Sequence, residues 1–252
     1  MNTAFVGFYF MVIPMETFWS RTEMLIGPAG RQRLAAARVA VIGTGGVGSF
    51  AVEGLARAGV GFLELVDPDV VQPSNINRQL PALHSTLGQP KVEVLARRCR
   101  DINPEAVVVP RQEVYSPREG SIFVRADLDC LVDAIDSVPA KVDLLATALT
   151  NGVPVVSSMG AGKRLDPTRL RVADISATSG CPLARVVRRG LRARGVDGRL
   201  MVVYSEEPPL AARGQPELEP GAKEPPGSMI FVPAAAGLLL ASLVVRGLLR
   251  ET

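Results

Sequence analysis

Histidine and cysteine are scarce in this chain, and the scarcity removes several chemistries at once. Among 252 residues there is one histidine, His84, and there are three cysteines, Cys99, Cys130 and Cys181. No Cys-x-x-Cys pair exists, which argues against a cysteine-caged zinc, and a lone histidine leaves no histidine-based metal site. Three widely spaced cysteines make no disulfide framework and fit a reducing cytoplasm. Lysine is also rare: the 28 basic residues include only Lys91, Lys141, Lys163 and Lys223. That arginine excess fits genome composition as well as phosphate recognition. A net charge of +3 and a sequence pI of about 9.0 lean weakly toward a polyanionic partner.

Targeting signals are weak too. Residues 1–15 are apolar but carry no basic leading region and no convincing cleavage site, so a signal peptide is disfavoured. They are expected to be an N-terminal extension from an early start codon, with Met15 the natural start. The stretch 229–249 approaches the length of a membrane span. Pro233, Arg246 and frequent Ala and Gly favour a buried core helix instead, and membrane association stays open. One domain is expected over 16–252.

What the chain does have is a 47% apolar composition, enough for a real core, arranged in alternating strand and helix patterns. Strands are expected at Val39–Ile42, Phe62–Val66, Ala106–Val109, Leu128–Ile135 and Val153–Ser157. Helices are expected at Gly46–Ala58, Lys91–Ile102 and Pro139–Asn151. This alternation predicts an α/β fold, a Rossmann-like doubly wound sheet that is mostly parallel. Farther on, Arg169–Ile175 and Leu200–Tyr204 read as strands that need not be parallel, flanking a helix at Leu183–Arg194. Residues 205–228 hold six prolines and read as a mobile loop.

The run Gly43-Thr44-Gly45-Gly46-Val47-Gly48 sits between the first strand and the first helix. A strand, a tight glycine turn and a bare helix N-terminus bind phosphate through free amides and the helix dipole. Alone, the loop reads as a dinucleotide site. Asp67 ends the second strand, where a carboxylate meets a ribose hydroxyl. Beyond it comes Ser74-Asn75-Ile76-Asn77-Arg78-Gln79, unlike a dehydrogenase, and then Lys91 at a helix start. A lysine there opposes the helix dipole, as expected of a residue that meets a phosphate. Asp136, after another strand, sits at the ligand-binding edge of such a sheet. A carboxylate beside a triphosphate suits Mg²⁺.

These residues, in this order, resemble the ThiF/MoeB/HesA superfamily, bacterial relatives of ubiquitin-activating enzymes that adenylate carboxylates. The resemblance implies ATP and Mg²⁺ as cofactors. It implies nucleotide binding by Gly43, Gly45, Gly46, Gly48, Asp67 and Asn75, catalysis by Arg78, Lys91 and Asp136, and Mg²⁺ on Asp136. Arg21 resembles the arginine that some members insert into a partner subunit's ATP site, which implies a homodimer.

The second half narrows the resemblance. Ser158-Met-Gly-Ala-Gly-Lys163, Asp166-Pro-Thr and Cys181-Pro-Leu-Ala-Arg185 look like the tRNA threonylcarbamoyladenosine dehydratases. Many members have Asp where this chain has Cys181, so Cys181 reads either as a structural cysteine or as a reactive thiol. The resemblance implies tRNA as partner. Arg185, Arg188, Arg189 and Arg192 recur on one helical face and are candidates for phosphate contact. The alternative is adenylation of a small sulfur-carrier protein's C-terminus, with a sulfur-carrier or desulfurase-related partner. A nucleotide-binding scaffold without chemistry is the third reading.

Overall fold

The computed structural model describes residues 18–117, 120–211, 214 and 227–250. The expected N-terminal extension and most of the expected mobile loop lie outside these residues.

One continuous sheet contains β1 (Arg38–Ile42), β2 (Phe62–Val66), β3 (Val107–Arg111), β4 (Cys130–Asp133), β5 (Val155–Ser158), β6 (Leu170–Asp174) and β7 (Met201–Ser205). The strand order is β3-β2-β1-β4-β5-β7-β6. Six strands run parallel, and only β6 is antiparallel, pairing Val172 with Val203 of β7. Of the two late strands expected from the sequence, β7 therefore continues the parallel sheet beside β5. Strands covered on both faces read as unbroken apolar runs, as Val39–Ile42 does.

The helices are α1 (Ser20–Ala36), α2 (Gly48–Ala58), α3 (Lys91–Ile102), α4 (Gly120–Phe123), α5 (Val138–Thr150), α6 (Pro182–Ala193) and α7 (Phe231–Leu248). On one face of the sheet α2, α3 and α7 bury Val52, Leu55, Leu95 and Leu240. On the other, α5 and α6 bury Leu144, Leu145, Val187 and Leu191 with Phe123. Each such side chain, removed from water, contributes about 1.5–3 kcal/mol.

The apolar stretch near the C-terminus forms α7, an 18-residue helix long and apolar enough to cross a membrane. It packs on α2 and on the sheet, burying Val232, Ala236, Gly237, Leu240, Ala241 and Val244. The approach is so close that a Cβ on Gly237 would stand 2.3 Å from the Val47 carbonyl oxygen. Two outward side chains, Phe231 and Leu238, stay half-exposed.

The strand expected over Leu128–Ile135 is shorter. Strand β4 stops at Asp133 because its carboxylate turns back to accept the Ile135 N–H at 3.1 Å. Asp136 consequently lies in the β4–α5 loop.

Candidate functional site

A cleft of about 810 Å³ opens at the carboxyl edge of the sheet, across β1 and β4. Strand order reverses there, which is where ligands of open α/β sheets bind. The glycine loop forms its floor. Gly43 has φ +89°, and a Cβ on it would lie 2.7 Å from the Ala134 carbonyl oxygen. A Cβ on Gly48 would lie 1.7 Å from the Gly43 carbonyl oxygen, an impossible contact. Only glycine permits both approaches. The N–H groups of Gly45 and Gly46 have no partner among the described residues, and both line the cleft. Free amides beside the start of α2 suit an anion.

Asp67, 6% exposed, is not a solvated turn residue. Its Oδ2 accepts the Thr44 N–H at 2.6 Å and its Oδ1 the Asp69 N–H at 3.0 Å. It braces the loop, and each oxygen keeps a second lone pair for a hydroxyl facing the cleft. Two further polar atoms, Thr44 Oγ1 and Gln79 Oε1, are buried without a hydrogen-bond partner. Buried polar atoms are rarely left so, and Gln79 lines the cleft.

Lys91 is 4% exposed and its Nζ lies 2.7 Å from Asp69 Oδ2. Burial with an exposed partner holds the ammonium at the cleft wall. Arg78 is fixed by Nη1 hydrogen bonds to the Ser74 carbonyl (2.8 Å) and Asn77 Oδ1 (2.9 Å). Beside it, buried Asn75 receives the Gln72 N–H on its Oδ1, which closes the turn that carries Arg78. Asp136 is exposed in the cleft and has no partner among the described residues. No cluster of three acidic, histidine or cysteine side chains is found among the described residues. A lone carboxylate fits Mg²⁺ shared with phosphates, because that ion keeps several waters and takes few protein ligands.

The far half of the cleft is built by the loop after β5 and the start of α6. Lys163 has φ +59°, a left-handed conformation that costs a non-glycine residue about 1 kcal/mol. Its N–H donates to the Gly227 carbonyl and its carbonyl accepts from Leu210 N–H, both at 2.8 Å. Buried Arg164 stiffens the loop through Nη1 to the Gly162 carbonyl (2.9 Å) and Nε to the Glu207 carbonyl (3.0 Å). Cys181 is buried at the N-cap of α6 and lines the cleft. Tyr115 reaches in from the β3–α4 segment, its hydroxyl donating to Asp143 Oδ2 at 2.9 Å. Burial, then that bond, raises its pKa above the usual tyrosine value.

Sequence reasoning missed the polar knot behind the cleft. Lys141 and Asp133 are fully buried and ion-paired at 2.6 Å. A lysine in the apolar face of α5 was the available signal.

The basic face of α6 divides. Arg185, Arg189 and Arg192 are exposed. Arg188 is half-buried, and its Nη1 is held by the carbonyls of Ile175 (2.8 Å) and Thr178 (3.2 Å) and by Thr178 Oγ1 (2.8 Å). It sits at the seam where α6 meets the turn after β6. Arg21 lies on α1, exposed, and is not among the residues lining this chain's cleft.

Over residues 19–251 the sequence matches the ThiF family. It is 44% identical over 241 residues to the tRNA threonylcarbamoyladenosine dehydratase of Bacillus subtilis strain 168, across 92% of this chain and 95% of that protein. A crystal structure of E. coli tRNA N6-threonylcarbamoyladenosine dehydratase matches with a TM-score of 0.82 and 34% identity, over 92% of this chain and 93% of that one. The same E. coli enzyme in complex with ATP matches with a TM-score of 0.81 and 34% identity, over 91% and 93%.

Proposed function

This chain belongs to the ThiF family, and from that premise we propose that it uses ATP to dehydrate threonylcarbamoyladenosine beside the tRNA anticodon. The observation that carries the reading is a single cleft holding free loop amides, two fixed cations and an unpaired carboxylate. That set suits attack on a phosphate. It has no arrangement for hydride transfer.

The threonyl carboxylate of the substrate attacks the α-phosphorus of ATP. A new O–P bond forms, the bond to the β-phosphate breaks, and pyrophosphate leaves. Arg78 and Lys91 stabilise the negative charge that builds on the phosphate oxygens, with the amides of the glycine loop. Asp136 would hold Mg²⁺, which supplies charge neutralisation at the phosphates. Asp67 and Asn75 would orient the nucleoside end. A carbamoyl nitrogen then attacks the activated carbonyl carbon and loses its proton while AMP departs. The product is cyclic, and the net loss is one water. Ring closure within one molecule needs no enzyme nucleophile, so buried Cys181 is assigned packing.

A single adenylation domain over 16–252 is part of the proposal, as is a homodimer in which Arg21 reaches the neighbouring cleft. Arg21 is supported there by its exposed place on α1, away from its own cleft. Exposed Arg185, Arg189 and Arg192 would meet the tRNA backbone. Three free, buried cysteines fit a cytoplasmic location. A sulfur-carrier or desulfurase-related protein is the further partner implied by the family resemblance.

The test is conversion of tRNA bearing the open threonylcarbamoyl group, with ATP and Mg²⁺, read by nucleoside mass spectrometry under mild extraction. The expected result is a product lighter by one water, with AMP and pyrophosphate in equal amounts. Pyrophosphate release triggered by a carrier protein ending in Gly-Gly, and not by tRNA, would overturn the reading.

A further inference from the structure

Behind the cleft, three side chains form a closed polar knot. Lys141 Nζ lies 2.6 Å from Asp133 Oδ2, 2.9 Å from the Ser158 carbonyl oxygen and 3.4 Å from Ser157 Oγ. The Ser157 hydroxyl donates to the same Asp133 oxygen at 2.6 Å. The other oxygen, Asp133 Oδ1, accepts the Ile135 N–H. All three side chains are wholly buried. Such a pair contributes little to net stability, because desolvating two charges offsets their attraction. Well-packed apolar replacements are often neutral or better. The reason for keeping it must lie in what it joins.

What it joins is the cleft. Ile135 precedes Asp136, and on the other side of Asp136 the backbone N–H of Lys141 donates to the Ser137 carbonyl at 2.9 Å in the first turn of α5, which sets the root of the lysine side chain. The knot thus pins the loop carrying Asp136 on its β4 flank, and the first turn of α5 closes the other flank. Ser158 opens the opposite wall, which continues through Gly160 and Lys163. Ala134, next to Asp133, backs the glycine loop at Gly43. Two walls therefore meet at one buried ammonium, and the glycine loop rests on the residue beside its carboxylate partner.

We infer that Asp133, Lys141 and Ser157 are positioning residues, which fix the Asp136 loop, the Ser158–Lys163 wall and the glycine loop at one spacing and so set the rate of adenylation. This rests on the adenylation reading above. A misplacement of about 1 Å among reacting groups costs on the order of 100-fold in rate. An apolar pair of similar volume fills the space, yet leaves the Ile135 N–H and the Ser158 carbonyl without anchors.

The experiment uses the full chain with Asp133→Val and Lys141→Met together. Thermal midpoint, ATP affinity by calorimetry and the kinetics of tRNA conversion are measured side by side. The expected result is a folded protein with a midpoint lowered by a few degrees, because two buried backbone groups lose their partners, an ATP Kd changed by less than about threefold, and kcat lowered on the order of 100-fold. Amide exchange in segment 134–137 rises. Lys141→Arg, which keeps charge and donors, restores kcat to within about tenfold of wild type, and Ser157→Ala lowers kcat while leaving the midpoint in place. A double variant that fails to fold, or a folded double variant or Ser157→Ala protein with wild-type kcat, overturns the inference. Wild-type protein inactive on tRNA would instead overturn the proposed function, so the two failures are distinct.

Discussion

Replacing Asp67 by Asn separates two jobs that one carboxylate is asked to do. In the structure its two oxygens accept N–H groups from Thr44 at 2.6 Å and Asp69 at 3.0 Å. Asn offers one acceptor oxygen and one amide, so one of those N–H groups faces a donor. A buried hydrogen bond to a charged group is worth about 1.5–3 kcal/mol. The variant should therefore lose that much stability, a fall in melting temperature of roughly 3–12 °C for a chain of this size. The second job is the nucleoside. If the carboxylate also holds a ribose hydroxyl, wild-type protein should bind ATP about 10- to 150-fold more tightly than its deoxyribose analogues, by the same energy. Asp67→Asn should largely erase that preference. The assay is calorimetric titration of both proteins with ATP, 2′-deoxy-ATP and 3′-deoxy-ATP. Equal wild-type affinity for all three would refute the ribose assignment and leave Asp67 a brace of the glycine loop alone.

The remaining predictions address other parts of the molecule. Asp136→Ala, at an exposed loop residue without a partner among the described residues, should keep the fold and abolish ATP–pyrophosphate exchange; wild-type exchange would sink the Mg²⁺ assignment. Arg185→Glu with Arg189→Glu should weaken tRNA binding and lower its salt slope by about one for each phosphate no longer neutralised, whereas Arg188→Ala should lower the melting temperature and leave the slope alone. Burial pushes the thiols of Cys99 and Cys130 up to about 12, so neither should be alkylated at pH 8 in the folded protein; labelling of either without unfolding contradicts the burial. Burial alone would raise the Glu53 pKa, but hydrogen bonds from Arg98 and Arg57 outweigh it and hold the carboxyl below its usual value. Its stabilising contribution is therefore present above the unfolded carboxylate pKa and lost as pH falls through the lower folded one. Acid unfolding of Glu53→Gln should show a shallower pH dependence in that window, and an identical profile would show that the pair contributes nothing.

The parts of the site that local chain chemistry dictates were legible in the sequence. The glycine loop, Asp67 at a strand end and Lys91 at a helix start follow from turn geometry and spacing, and the structure gathers them into one cleft. The strand order was not legible, because hydrophobic periodicity reports a strand's burial and not its neighbour; hence β7 slips between β5 and β6. Lys141 was hidden for a related reason. Its partners Asp133 and Ser157 lie on two strands, β4 and β5, and only the packing of α5 on the folded sheet brings the three together. Arg188 and Arg189 look alike in sequence, yet one is captured by the turn at Ile175–Thr178 and the other is free, a difference made by a neighbouring segment.

The seat of α7 has a consequence for how the protein is made. Every strand and every other described helix precedes α7 along the chain. Yet the glycine loop is backed by that helix: Gly237 lies beneath Val47, and Pro233 reaches within 3.3 Å of where a Gly46 Cβ would stand. Until α7 is made, the loop at Gly43–Gly48 lacks support from behind and one face of the sheet lacks part of its cover. A ribosome-stalled chain ending before Phe231 should fail to retain ATP, and ATP crosslinking to stalled and released chains reads this directly. ATP retained by the stalled chain would show that the glycine loop holds its shape without α7 behind it.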